Sequence, residues 1–281
     1  MRFAKGLHRC LRCDLIHGFH RQALFWLGGF GIVLIACLQL TIRHHSLSPA
    51  EYLQLEPRLT YGDYVFYLLH GMPEFVPGDR NFVPNLVWLL LHLYLACLIG
   101  SYPQRDLLEI GAQLWPRCGS RCGWWISKCL WAAVSCLLFY LLILGVPWLF
   151  LFSGMIPDLL PQREIQQYFS SAAVAGIPLA KMLLHTIWLP LLVSVGLSLF
   201  QITLALLTRP LFGLLAVAAV LVSAMFKTVW WLPGNYLMPA RSLQGELSMV
   251  GVLLFFLFAL CFSLGAGCRK IARLDLYSHH D

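Results

Sequence analysis

The sequence predicts an all-α, polytopic membrane protein with six transmembrane helices, and three observations predict it. Mean hydropathy is +0.72 over 281 residues, and only 12% of residues are charged, about half the charged fraction of a soluble domain. Six apolar runs of spanning length follow one another, and basic residues collect at their ends. A bilayer core about 30 Å thick needs about 20 helical residues at about 1.5 Å each, which is the length these runs supply.

The first run is Leu24–Ile42 and reads as a span rather than a cleavable leader, because no small-x-small site follows it. The second is Leu86–Tyr102 and the third Leu130–Phe152. The fourth, Met182–Leu207, is long enough to tilt. The fifth, Leu211–Phe226, is short and extends to Val229 if it crosses fully; the sixth is Ser248–Gly267.

Orientation follows from Lys and Arg near the span ends. Six crossings put the N-tail, the 103–129 loop, the 208–210 turn and the C-tail on one side, which holds 13 of the 20 Lys and Arg residues. Eight of the 13 acidic residues fall on the other side. The first side is therefore expected to be the cytoplasm, with both termini there. The ten cysteines agree: none lies in 43–85, 153–181 or 227–247, and a reducing cytosol tolerates free thiols. The net charge of +7 flanks the spans instead of forming a patch, which argues for lipid headgroups and against nucleic acid.

The outer segment 43–85 carries five prolines and the aromatic residues Tyr61, Tyr64, Phe66 and Tyr67, expected at headgroup level. The segment 227–247 carries Trp230-Trp231 followed by Leu-Pro-Gly-Asn-Tyr. Pro and Gly between aromatics fit a broken, half-inserted element, and plain interfacial anchoring by Trp230 and Trp231 fits equally well.

No Asp or Glu falls within a predicted span, which weighs against ion-coupled carriage. No Gly-x-x-x-x-Gly-Lys-Ser/Thr loop is present, so any nucleotide is expected on another subunit, and the chain itself is expected to hold no cofactor. His92 and His185 lie within spans and are candidates for ligation, proton relay or interhelical hydrogen bonding. Gln39, Gln201 and Ser198 read as helix-packing polar groups. Cys10-x-x-Cys13 and Cys118-x-x-x-Cys122 have the ligand type for zinc, but the spacing is loose and no metal site is expected.

The most informative stretch is Pro103–Lys128. Pro103 suits a first helical turn, and Asp106 and Glu109 lie near the positive end of that helix. Leu107, Leu108, Ile110, Leu114 and Trp115 gather mainly on one face until Pro116 ends the helix. Arg117, Arg121, Trp124, Trp125 and Lys128 then lead into a span, with Arg121, Trp124, Trp125 and Lys128 expected at the membrane interface. One reading is a surface helix that only joins two spans. The other is a coupling helix between spans two and three that docks into a partner.

Six spans, cytoplasmic ends, and an acidic-apolar helix followed by Gly-Ser-Arg and Trp-Trp-x-Ser-Lys resemble the membrane (permease) subunit of a bacterial ABC-2-type transporter. The architecture covers the whole chain, and the motif covers 103–128. The resemblance implies a separate ATP-binding ABC subunit on the cytoplasmic face, with ATP and Mg held there. It also implies a second membrane subunit, the same or related, and no enzyme activity in this chain. It further implies export of an amphipathic peptide, antibiotic or lipid-like molecule. Leu107, Leu108, Glu109, Leu114 and Trp115 would be the coupling residues. The high cysteine content and the long first outer segment depart from the pattern. A membrane-embedded enzyme using His92 or His185 and a non-transporting scaffold or immunity protein are the alternatives.

Overall fold

The computed structural model describes residues 2–46, 58–72, 75, 84–100, 102–106, 120–170, 176–243 and 247–273. Among the described residues the chain is helical, with no strand beyond one parallel bridge between Thr60 and Ile156. In chain order the helices are α1 (Arg2–Cys13), α2 (Ala23–His45), α3 (Tyr61–Leu69), α4 (Leu86–Gly100), α5 (Tyr102–Asp106) and α6 (Arg121–Gly145). They continue as α7 (Arg163–Ser170), α8 (Leu179–Leu207), α9 (Pro210–Phe226), α10 (Pro239–Ser242) and α11 (Met249–Arg273).

Four of these are long and apolar enough to cross a membrane: α2, α6 with its continuation to Ser153, α8 and α11. α2 has 23 residues, a rise of about 35 Å. α4 and α9 are apolar but shorter, with 15 and 17 residues, or about 22 and 25 Å.

Local chemistry sets the boundaries. The Ser120 side chain accepts from Gly123 N and starts α6; Ser248 does the same for α11 through Val250 N. Pro147 sits at the start of the 3-10 continuation Val146–Ser153, which ends at Gly154 in the left-handed region with φ 87°. Pro210 opens α9 at a position where its missing N–H is not needed. Thr60 and Asp63 form a reciprocal capping box on α3.

The core is built around α8, which packs on α4, α6, α9 and α11. The apolar stretch of α8 is 72% inside the protein, against 28% for α2 and 17% for α11. The outward faces of α2 and α11 carry Leu24, Leu27, Ile35, Leu253, Leu257 and Phe258. That much contiguous exposed hydrocarbon suits lipid, where helix association depends on packing and interhelical hydrogen bonds. Those bonds are present: Gln201 Nε2 donates to Ala96 O at 2.8 Å, Tyr140 and Ser194 share hydroxyls at 3.0 Å, and Cys136 meets Ser198 at 3.3 Å. Gln201 and Ser198 thus take the packing role expected of them.

One expectation changes. The aromatic patch Tyr61, Tyr64, Phe66 and Tyr67 is buried in the protein, because α3 folds back against α2 and the end of α6. In the 227–247 segment, Pro233–Leu237 forms a buried 3-10 turn and α10 is buried behind it. Only Trp230 and Trp231 in that segment's aromatic run point outward, each more than 60% exposed.

Candidate functional site

The most unusual feature of the interior is a group of charges at the end of the bundle where α6 begins. After α1 the chain makes a π-helical turn, Asp14–Gly18, which carries Asp14 into the protein. Lys128 lies in the second turn of α6 and is fully buried. Its Nζ contacts Asp14 Oδ1 and lies 2.6 Å from Asp106 Oδ2. The same ammonium stands over the rings of Tyr102 at 4.7 Å and Trp124 at 5.1 Å, a cation–π arrangement strengthened by exclusion of water.

Neutral donors complete the shell. Ser127 Oγ and the Tyr102 hydroxyl, at 3.0 Å, donate to Asp14, and Trp124 Nε1 donates to Asp106 Oδ2 at 3.2 Å. Two carboxylates share one ammonium. Burial pushes the Asp14 carboxyl above its usual range, against the pull of Lys128 and Ser127. The Tyr102 hydroxyl is pushed up as well, by burial first and then by the two nearby carboxylates.

The cluster ties three parts of the chain together: the N-terminal helix through Asp14, the end of α5 through Asp106, and the start of α6 through Lys128. Further contacts dock the N-terminal region. Gln22 Nε2 donates to Leu98 O at 2.9 Å, and the Gly18 backbone lies directly against the Trp131 and Tyr102 rings.

Asp106 and Ser120 are thus the two fixed ends of the 107–119 stretch. Leu107, Leu108, Glu109, Leu114 and Trp115, expected to couple to a partner, lie outside the described residues. Arg121 keeps an exposed position and donates to Ala272 O at 3.0 Å. Trp124, Trp125 and Lys128, expected at the membrane interface, are enclosed by protein. All three are buried, because α1 packs over the first turns of α6 and the end of α11 packs beside them. Trp125 Nε1 donates to Ser263 O at 2.9 Å. The sequence signal was an isolated acid, Asp14, in a basic tail, and a lysine four residues past a tryptophan. Neither reveals its partner without the fold.

Comparison of the chain with protein-family models, with curated proteins and with solved structures finds no match.

His92 lines a small cavity together with Ser194, Ser198 and Gln201. His92 is buried with Nδ1 2.9 Å from Trp88 O, its own helix's carbonyl one turn back. His185 is buried in α8. No group of three or more His, Cys, Asp or Glu side chains suited to a metal occurs among the described residues. Cys13 and Cys122 are free thiols, whereas Cys10 is disulfide-bonded. That bond departs from the uniform free thiols expected of a reducing compartment.

At the opposite end of the bundle, polar groups are buried differently. Asp63 is fully buried and accepts from Thr60 N at 2.9 Å, Thr60 Oγ1 at 2.8 Å, Gln162 N at 2.8 Å and Gln166 Nε2 at 2.7 Å. Burial pushes its carboxyl up, and these donors partly offset that. His70 follows α3, with Nδ1 3.0 Å from Tyr67 O and Nε2 3.1 Å from Asn85 Nδ2. Nδ1 therefore carries the proton and Nε2 accepts. Burial lowers the His70 pKa to about 4. Arg241 is buried among the carbonyls of Met72, Ala224 and Met225 and the side chain of Asn235.

Proposed function

We propose that the chain is the membrane subunit of an ATP-driven exporter of the ABC-2 type. In this reading α4 and α9 serve as the second and fifth of six spans, made sufficient by flanking residues and local thinning of the bilayer. Six crossings put both termini on one side, and the excess of Lys and Arg there supports a cytoplasmic face in a bacterial cell membrane. The buried turn and helix at Pro233–Ser242 support an element folded back into the protein before the last span.

The observation that carries the reading is the charge cluster. A coupling helix is useful only if displacement of that helix reaches the spans. The 107–119 stretch follows Asp106 directly, and Asp106 is paired with Lys128 on a candidate span and, through Lys128, with Asp14 on the N-terminal region. A push on that stretch by a partner ATP-binding subunit would move α6 and the N-terminal helix as one piece. ATP and Mg would be held by the partner. A second membrane subunit would complete the path along the exposed apolar faces of α2 or α11, and the cargo would be amphipathic.

The test uses the full chain co-expressed with its candidate ATPase. Leu108→Ala with Trp115→Ala should strip the ATPase on detergent extraction, whereas Glu109→Gln should retain it, since truncating buried apolar anchors costs about 2 kcal/mol or more each and an exposed charge pair about 0–1. A double mutant that keeps its partner and its ATPase rate would refute the coupling role. ATP turnover by the purified chain alone would refute the division of labour.

A further inference from the structure

One turn of α8 differs from the rest of the helix: Leu184–Trp188 is π-helical. The sequence supplies the cause. Pro190 has no N–H to give the Thr186 carbonyl one turn back, and its ring crowds that carbonyl, so the helix widens locally. Beside this turn lies a cavity of about 210 Å³, walled by Tyr61, Val65 and Phe66 of α3, Leu144 of α6, and Thr186 and Ile187 of α8. It lies at the end of the bundle away from the Lys128 cluster.

The side chains around it are apolar apart from two hydroxyls. Tyr61 donates its hydroxyl to Leu144 O at 2.8 Å. Thr186 Oγ1 is buried and has no hydrogen-bond partner among the described residues. A buried hydroxyl left unpaired is costly, which makes it a ready partner for a guest. Most of the lining is hydrocarbon, and a mainly apolar cavity of this order of size takes a small apolar molecule such as benzene. Leu159 also lines the cavity and is exposed at the protein surface.

We propose that this cavity binds a small amphiphile of the class of a medium-chain alcohol, its hydrocarbon chain within the pocket and its one hydroxyl paired with Thr186 Oγ1. The proposal does not depend on reading the chain as a transporter subunit. The probe is 1-octanol carrying a photoactivatable diazirine on its chain, added to the full-length protein in lipid nanodiscs and mapped by mass spectrometry after irradiation. Saturable adducts on Tyr61, Val65 or Ile187, displaced by excess unlabelled octanol, are expected in the unmodified protein. Val65→Trp, which fills the space, should abolish them, and Thr186→Val, which keeps the volume, should weaken half-saturation about fivefold, the loss of one hydrogen bond. Adducts spread over the lipid-facing Leu141 and Trp188 that octanol does not displace would overturn the site. Saturable labelling unchanged by Thr186→Val would overturn the hydroxyl pairing. Because the competition arm needs no variant, the outcome does not hang on whether Val65→Trp folds.

Discussion

The Asp14–Lys128–Asp106 cluster and the Asp63 site both bury carboxylates, and they compensate them in different ways. In the first, one ammonium answers two carboxylates drawn from segments far apart in the chain, Asp14 and Lys128 being separated by 114 positions. In the second, four N–H and O–H groups answer a single carboxylate, and no cation pairs with it among the described residues. The difference teaches how each end responds to change. Charge compensation rests on one group, so its loss leaves two uncompensated charges. Compensation by neutral donors is spread over four contacts, so each loss is partial. The first arrangement behaves as a joint between segments, and the second holds one helix cap to a loop.

The sharpest break in this comparison is Lys128→Met. Removing one partner of a buried ion pair costs about 3–5 kcal/mol, because the opposite charge stays buried. Replacing the whole group by Asp14→Asn, Lys128→Met and Asp106→Asn should recover most of that loss, since a neutral interior of similar shape is often as stable. Denaturant unfolding in a fixed detergent should show the large loss and the recovery. A Lys128→Met loss below about 1 kcal/mol would mean that the ammonium is not the main compensating charge.

Acid titration separates the two carboxylate environments from the neighbouring histidine. His70 is held neutral, with its pKa lowered from 6.5 to about 4. In that window the unfolded chain binds the proton and the folded chain does not, so stability is full above pH 6.5 and falls as pH drops towards 4. The fall should approach tenfold in the folding equilibrium per pH unit, about 1.4 kcal/mol. Asp63 acts with the opposite sign. Its raised pKa means that the folded state binds a proton more readily than the unfolded one, so its contribution is greatest below the ordinary value of 3.8 and is lost as pH rises through the raised value. His70→Gln should therefore flatten the acid limb of stability against pH, and Asp63→Asn should steepen it. An acid limb unchanged by His70→Gln would place the titrating group elsewhere.

At neutral pH the effect of Asp63→Ala should be smaller than that of Lys128→Met. The substitution removes the acceptor of four donors; Gln162 is only half-buried, so its N–H can reach water, which leaves the Thr60 cap and the buried Gln166 amide unanswered. A loss of about 1–3 kcal/mol is expected on that ground. A loss larger than that of Lys128→Met in the same unfolding assay would reverse the comparison.

The helical spans were legible because apolar runs of this length have few other uses. α8 begins at Leu179 and α11 at Met249, close to the expected Met182 and Ser248. The helix α6 begins at Arg121, ahead of the expected span start at Leu130; Arg121, Ser127 and Lys128 look like loop residues until their partners are known. Trp124 and Trp125 beside arginines carry the usual composition of a membrane interface. What buries them is tertiary: α1 and the end of α11 close over that turn. Likewise Tyr61, Tyr64 and Tyr67 gave an interfacial pattern, and only the return of α3 onto α2 and α6 takes them inside. Asp14, Asp106 and Lys128 each belong to a segment that the sequence places beside an expected span. Their convergence depends on how those flanks fold, which hydrophobic periodicity does not encode.

The smallest effect tests whether burial of the tryptophan pair is a matter of packing or of hydrogen bonding. Trp125 Nε1 donates to Ser263 O, at the start of the π-helical turn Ser263–Gly267 in α11. That turn keeps a glycine where a Cβ at Gly267 would come within 2.1 Å of the same indole nitrogen. The indole is therefore held on two sides, by a carbonyl it donates to and by a backbone it touches. Trp125→Phe removes the donor and part of the ring, with a net hydrogen-bond loss of about 1 kcal/mol. Gly267→Ala keeps the donor but forces the indole aside, and overpacking of this kind costs about 1–3 kcal/mol. If packing dominates, combining the two should cost less than their sum, because the smaller phenyl ring makes room for the methyl group. Strict additivity in the unfolding assay would show instead that the two contacts act independently, and that Trp125 is fixed chiefly by its bond to Ser263.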